Sequence, residues 1–86
     1  MGRRKQKYET TQFAAMLGRM IDAYGRRVGD ADPEDLAEML ELQRRFDAVV
    51  KDAVRVQREN HGRSWAEIGA AAGTTRQAAQ MRWGKP

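Results

Sequence analysis

Few residues in this sequence could carry covalent chemistry. Its 86 residues include one histidine, His61, one serine, Ser64, and no cysteine. A nucleophile needs a base within reach and a third group to orient that base. His61 stands before Gly62 at an expected helix end, and Ser64 opens a capping sequence, so both have structural roles already. The absence of cysteine excludes disulfides, thiolate zinc sites and a cysteine nucleophile, and it fits a reducing cytosol. Glu34, Glu38 and Glu41 share one helix face without a histidine, which offers neither a di-metal site nor an acid and base pair. Gly25 to Gly29 has no strand before it, so it is no phosphate-cradling loop. The expectation is a protein that is not an enzyme and has no metal and no cofactor.

The chemistry that is abundant is charge. The chain carries 16 Lys and Arg against 12 Asp and Glu, a net +4, with a pI near 10.0. The distribution is uneven: Met1 to Gly29 is net +5, Asp30 to His61 net −4 and Gly62 to Pro86 net +3. Asp30, Asp32, Glu34, Asp35, Glu38 and Glu41 follow one another without an intervening cation. That block repels a phosphate backbone, whereas Arg3, Arg4, Lys5 and Lys7 are attracted to one. If a nucleic acid is the partner, the two ends touch it. The plainer alternative is that the acids cluster for helix-dipole reasons and the basic start is a solubilising tail.

The elements that must position these residues are helical. Phe13, Met16, Leu17, Met20, Ile21, Tyr24 and Val28 recur at spacings of three and four, predicting an amphipathic helix one over residues 10–28 behind a basic flexible arm, residues 1–9. Asp32-Pro33-Glu34-Asp35 predicts the next start, with Asp32 as N-cap and proline at the first helical position. Helix two then runs over 33–61, about 40 Å at 1.5 Å per residue, and ends at His61-Gly62. Its broad apolar stripe, with Leu36, Met39, Leu40, Phe46, Val49, Val50 and Val54, suits packing on helix one along one flank and a dimer contact along the other; packing on the core alone stays open. Ala supplies 13 of the apolar residues. The interior is therefore expected to be thin, and a partner subunit would help fill it. Residues 10–86 read as a single all-α domain of four helices.

Ser64-Trp65-Ala66-Glu67 is a capping box that opens helix three. This helix runs through Ile68-Gly69-Ala70-Ala71-Ala72 and stops at Gly73. Thr74-Thr75 then cap helix four, Arg76 to Trp83, which Gly84 and Pro86 end. Gly69, Ala72 and Ala79 are small enough to let the two helices approach, with Ile68 and Trp83 as larger fillers. Residues 64–84 resemble the helix-turn-helix of small bacterial and phage DNA-binding regulators and of sigma-factor-like proteins. Two positions depart from that pattern: Thr74 stands where Val or Ile is usual, and Trp83 fills the last inward position beside Arg82.

The resemblance implies that helix four reads the DNA major groove. With Ala79 inward, Gln77 and Met81 point almost opposite, with Arg76 and Gln80 to one side. Glutamine bonds adenine, arginine bonds guanine and methionine touches the thymine methyl group, which makes Arg76, Gln77, Gln80 and Met81 the base-reading candidates. Arg63, Thr74, Thr75, Arg82 and Lys85 are the phosphate candidates, joined by Arg3, Arg4, Lys5 and Lys7 of the arm. The alternative for residues 64–83 is an ordinary helical hairpin with solvated glutamines.

Two functions follow. The first is sequence-specific binding of double-stranded DNA by a homodimeric transcriptional regulator, cytoplasmic and nucleoid-associated. The second is a phage or plasmid type of adaptor whose acidic amphipathic helix, residues 30–58, docks on a protein partner. No apolar run is long enough for a membrane span, so no membrane role is expected.

Overall fold

A computed structural model describes the backbone of residues 2–84 and the side chains of residues 8–84. The described residues form four helices and no strand, an all-α fold: α1 (Gly2–Gly29), α2 (Pro33–His61), α3 (Trp65–Ala71) and α4 (Arg76–Trp83). No helix among them is long and apolar enough to cross a membrane. The chain divides into two compact units, Met1–Leu40 and Glu41–Pro86, where the sequence predicts one domain over 10–86. The boundary falls inside α2, so that single long helix contributes its start to one unit and the rest to the other.

In the first unit α1 begins at Gly2, eight residues before the predicted start at Thr10. The backbone that the sequence assigns to an arm, residues 2–9, is the first two turns of this helix. Arg, Lys and Gln are good helix formers, and no proline interrupts them. These turns carry no apolar stripe, so periodicity gives no sign of them. Arg26 and Arg27 lie in the last turn, where the negative end of the helix dipole favours cations. The turn that follows is tight: Asp30 N donates to Arg27 O (3.2 Å) and Ala31 N to Val28 O (3.0 Å). α2 then starts at Pro33 as predicted, and the Asp35 carboxylate accepts a hydrogen bond from the Asp32 backbone N–H at 3.2 Å.

The core differs from expectation. Among the described residues only Ile68, Gly69 and Ala79 are buried, and no residue of α2 is. On α1, Leu17, Tyr24 and Val28 are half-buried, as are Met39, Val50 and Val54 on α2. The rest of the predicted stripes, including Phe13, Met16, Met20, Ile21, Leu36, Leu40, Phe46 and Val49, is exposed. Amphipathic periodicity reports that a face prefers to be covered; it does not say by what.

In the second unit the latter part of α2 carries exposed ion pairs, Arg44 with Glu41 and Arg55 with both Asp52 (2.7 Å) and Glu59 (2.9 Å). The Asp52 and Glu59 hydrogen bonds raise the Arg55 pKa above its ordinary value. Such solvated pairs contribute little to stability. The helix ends at Gly62, which takes the left-handed conformation (φ 63°) that glycine adopts without a steric penalty. Arg63 N donates to Gln57 O at 3.1 Å, satisfying a carbonyl that the helix end leaves free.

Candidate nucleic-acid interface

The helices α3 and α4 form the tightest packing in the described chain. α3 starts with a complete capping box: Ser64 Oγ accepts from Glu67 N (3.0 Å) and Glu67 Oε1 accepts from Ser64 N (3.0 Å). The hydrogen bonds from Ser64 hold the Glu67 carboxyl below its usual range, with the positive charge of Arg63 adding to the effect. α3 stops at Ala71, one residue before the predicted end, and Ala72 is its C-cap, donating to Ile68 O at 3.0 Å. The turn is closed by Thr74 N to Gly69 O (2.8 Å), and Gly73 has φ 70°. Thr75 then caps α4, its Oγ1 accepting from Ala78 N at 3.0 Å.

The glycine inside α3 explains how closely the helices approach. A Cβ on Gly69 would lie 2.8 Å from Thr75 O and 2.9 Å from Thr75 C, both closer than real contacts allow. Ala79 of α4 is fully buried (0% exposed) and Ile68 nearly so (9%). Ala72, predicted to share this contact, is exposed, because α3 has already ended there. Trp83 is half-buried, and the Arg82 guanidinium lies over its ring, 4.7 Å from the centroid. That stacking accommodates the aromatic and the charge that depart from the helix-turn-helix pattern.

With Ala79 inward, the other side of α4 is open. Arg76, Gln77, Gln80 and Met81 are all exposed, Met81 at 65%. All four base-reading candidates are thus open to solvent, Gln77 and Met81 opposite Ala79 and Arg76 and Gln80 to one side of it. Of the phosphate candidates, Arg63, Thr74, Thr75 and Arg82 are exposed as well. Three have intramolecular duties: the Thr75 hydroxyl oxygen is used by the cap, Arg63 Nε donates to Gln57 Oε1 at 3.3 Å, and Arg82 stacks on Trp83. Lys85 and the side chains of Arg3, Arg4, Lys5 and Lys7 lie outside the described residues.

Sequence reasoning missed the residues that hold the α3–α4 pair to the end of α2. The Arg58 guanidinium stacks on Trp65, 4.4 Å from the ring centroid, and its Nη1 donates to Arg63 O at 3.0 Å. An open groove beside them is lined by Arg55, Glu59, Trp65 and Trp83. No periodic signal links Arg58 to Trp65, because the helix ends between them. A long cation before a glycine stop and an aromatic just after it is the only trace in the sequence. Among the described residues no three His, Cys, Asp or Glu side chains come together as a metal site. Compared with protein-family models, curated proteins and solved structures, the chain matches none of them.

Proposed function

We propose that this chain is a sequence-specific double-stranded DNA-binding protein that regulates transcription, reading the major groove with α4. The observation that carries the reading is the polarity of that short helix. One side is locked onto α3 at Gly69 and Ala79, while Arg76, Gln77, Gln80 and Met81 are exposed. A purely structural hairpin has no need of a rigid platform under four side chains that match base edges. The backbone N–H groups at the start of α4 and the exposed cations Arg63 and Arg82 suit phosphates flanking the site. In this reading the chain is a homodimer, cytoplasmic and nucleoid-associated, and its two readers meet a palindromic site about one helical turn apart.

The test is selection of bound duplexes from a random pool by the purified chain at about 150 mM salt, where screening leaves only short-range electrostatics. A palindrome should be enriched. Arg76→Ala and Gln77→Ala should each remove about 1 to 3 kcal/mol of discrimination at one base position. Survival of full specificity in both variants would sink the assignment of α4 as the reader. A second reading, an adaptor docking a protein through acidic α2, is favoured by the exposure of Leu36, Leu40, Phe46 and Val49. It requires that no sequence be enriched and that Leu40 and Phe46 variants lose a protein partner.

A further inference from the structure

We infer that Arg82 and Trp83 form a preordered phosphate clamp: the indole of Trp83 holds the Arg82 guanidinium ready for the oxygens of one backbone phosphate beside the groove that α4 enters. The inference rests on the DNA-binding reading above and adds to it a positioning residue, Trp83, which acts through Arg82.

The second unit contains two arginine–tryptophan stacks, and the difference between them carries the inference. Arg58 lies over Trp65, 4.4 Å from the ring centroid, and Arg82 over Trp83 at 4.7 Å. Both rings are half-buried. Arg58 is itself half-buried, and its Nη1 donates to Arg63 O at 3.0 Å, so that stack is closed within the protein. Arg82 is exposed, and among the described residues its guanidinium makes no hydrogen bond and no ion pair. Asp52 and Glu59, the carboxylates that share a groove with Trp83, are both paired with Arg55 instead. Stacking occupies a face of the guanidinium and leaves its N–H groups, which point outward in its plane, unspent. A planar fork of this kind matches two oxygens of a phosphate, a geometry that a lysine ammonium lacks. Placement agrees with this. At about 100° per residue, Arg82 falls on the flank of α4 opposite that of Arg76 and Gln80, and the flanks of a groove-seated helix are where backbone phosphates lie. A cation in the last helical turn is also favoured by the dipole, which accounts for the charge but not for the ring under it. A long side chain normally loses rotamer freedom on binding; here the ring restricts Arg82 before DNA arrives.

The experiment measures the affinity of the full chain for one random-sequence duplex and for the selected site, by fluorescence anisotropy over a range of salt. Arg82→Gln should make the slope of log K against log salt shallower by about 0.9, the share of one phosphate contact. Arg82→Lys keeps the charge and should keep the slope, but should bind both duplexes about 2- to 10-fold more weakly, the scale of ordering one long side chain. Trp83→Leu should give the same pattern, with the slope kept and affinity lowered about 2- to 10-fold. Adding Trp83→Leu to Arg82→Lys should bring no further loss, because the two residues act as one unit. A ring that only supports the fold would lower affinity by the same factor in both backgrounds, and that additive result overturns the inference. An unchanged slope in Arg82→Gln overturns it as well. Trp83→Phe keeps a ring face and decides the matter if Trp83→Leu unfolds. It should bind within about 2-fold of the parent, and a loss equal to that of Arg82→Lys overturns the clamp. A parent chain that binds neither duplex removes the DNA-binding reading and the clamp with it. An enriched site whose affinity ignores Arg82 removes the clamp alone, and failure to enrich any site, with the expected slopes on the random duplex, removes only the base reading.

Discussion

Two glycines with opposite surroundings should respond oppositely to an added methyl group. Gly69 sits where a Cβ would meet the backbone of Thr75 at 2.8 Å, and backbone cannot rotate away as a side-chain tip can. Gly69→Ala should therefore cost about 1 to 3 kcal/mol, the usual range for forcing a methyl group into a packed contact. Gly18 lies within α1, and a methyl group added there would have nothing within 4 Å. There alanine should gain about 1 kcal/mol by restricting the unfolded chain and improving helix propensity. Urea unfolding of the two variants beside the parent should give shifts of opposite sign. A stabilised Gly69→Ala would mean that α4 is not held by this contact. Gly69 is legible in the sequence as a small residue between two short helices, but the particular carbonyl it faces is set by how the turn closes on Thr75.

At the scale of the element, the short helices depend on their caps more than the long ones do. α3 has seven residues, too few to persist without tertiary contacts and end bonds. Ser64→Ala should cost about 1 kcal/mol through the lost acceptor. Glu67 adds a pH dependence whose sign is fixed. Its pKa is depressed in the folded chain by the hydrogen bonds from Ser64. Its contribution is thus complete above the ordinary glutamate value of about 4.3 and is lost as pH falls through the lower folded value. Both tryptophans of the chain, Trp65 and Trp83, lie in this pair of helices, so their fluorescence reports it. Acidification from about pH 6 to pH 3 should loosen the pair, and Glu67→Gln should flatten the part due to Glu67 while keeping an acceptor for the Ser64 N–H. An unchanged acid profile in that variant would remove Glu67 from the account. These starts and stops are legible because caps are local: Pro33 behind Asp32, Ser64 with Glu67, Thr75 and the turn glycines lie within a few residues of what they terminate. The start of α1 is not, since a polar turn can extend a helix without leaving an apolar period. The partner of the α1 and α2 stripes is not legible either, because the spacing of Phe13, Ile21, Leu40 and Phe46 fixes a face and carries no information about what lies against it.

On the proposed DNA-binding reading, the uneven charge of the chain bears directly on recognition. The C-terminal segment brings Arg63, Arg76, Arg82 and Lys85 against a single acid, Glu67, while the middle of the chain is net −4. Each phosphate neutralised contributes a slope of about −0.9 to log K against log salt. The few cations of this segment therefore set a modest, sequence-blind affinity. The acidic block at the start of α2 opposes even that by its repulsion of phosphate. If specific binding through α4 holds the duplex farther from this block than non-specific binding does, the block favours discrimination. Glu34 and Glu38 are both exposed, and replacing them together by Gln should leave the fold intact. The double variant should bind a random duplex more tightly than the parent at low salt, with a smaller gain on the selected site, and the ratio of the two affinities should fall. Fluorescence anisotropy on both duplexes at two salt concentrations measures all four quantities. Equal gains on the two duplexes would show the acids acting only through net charge, and no gain on either would place the block beyond the reach of bound DNA.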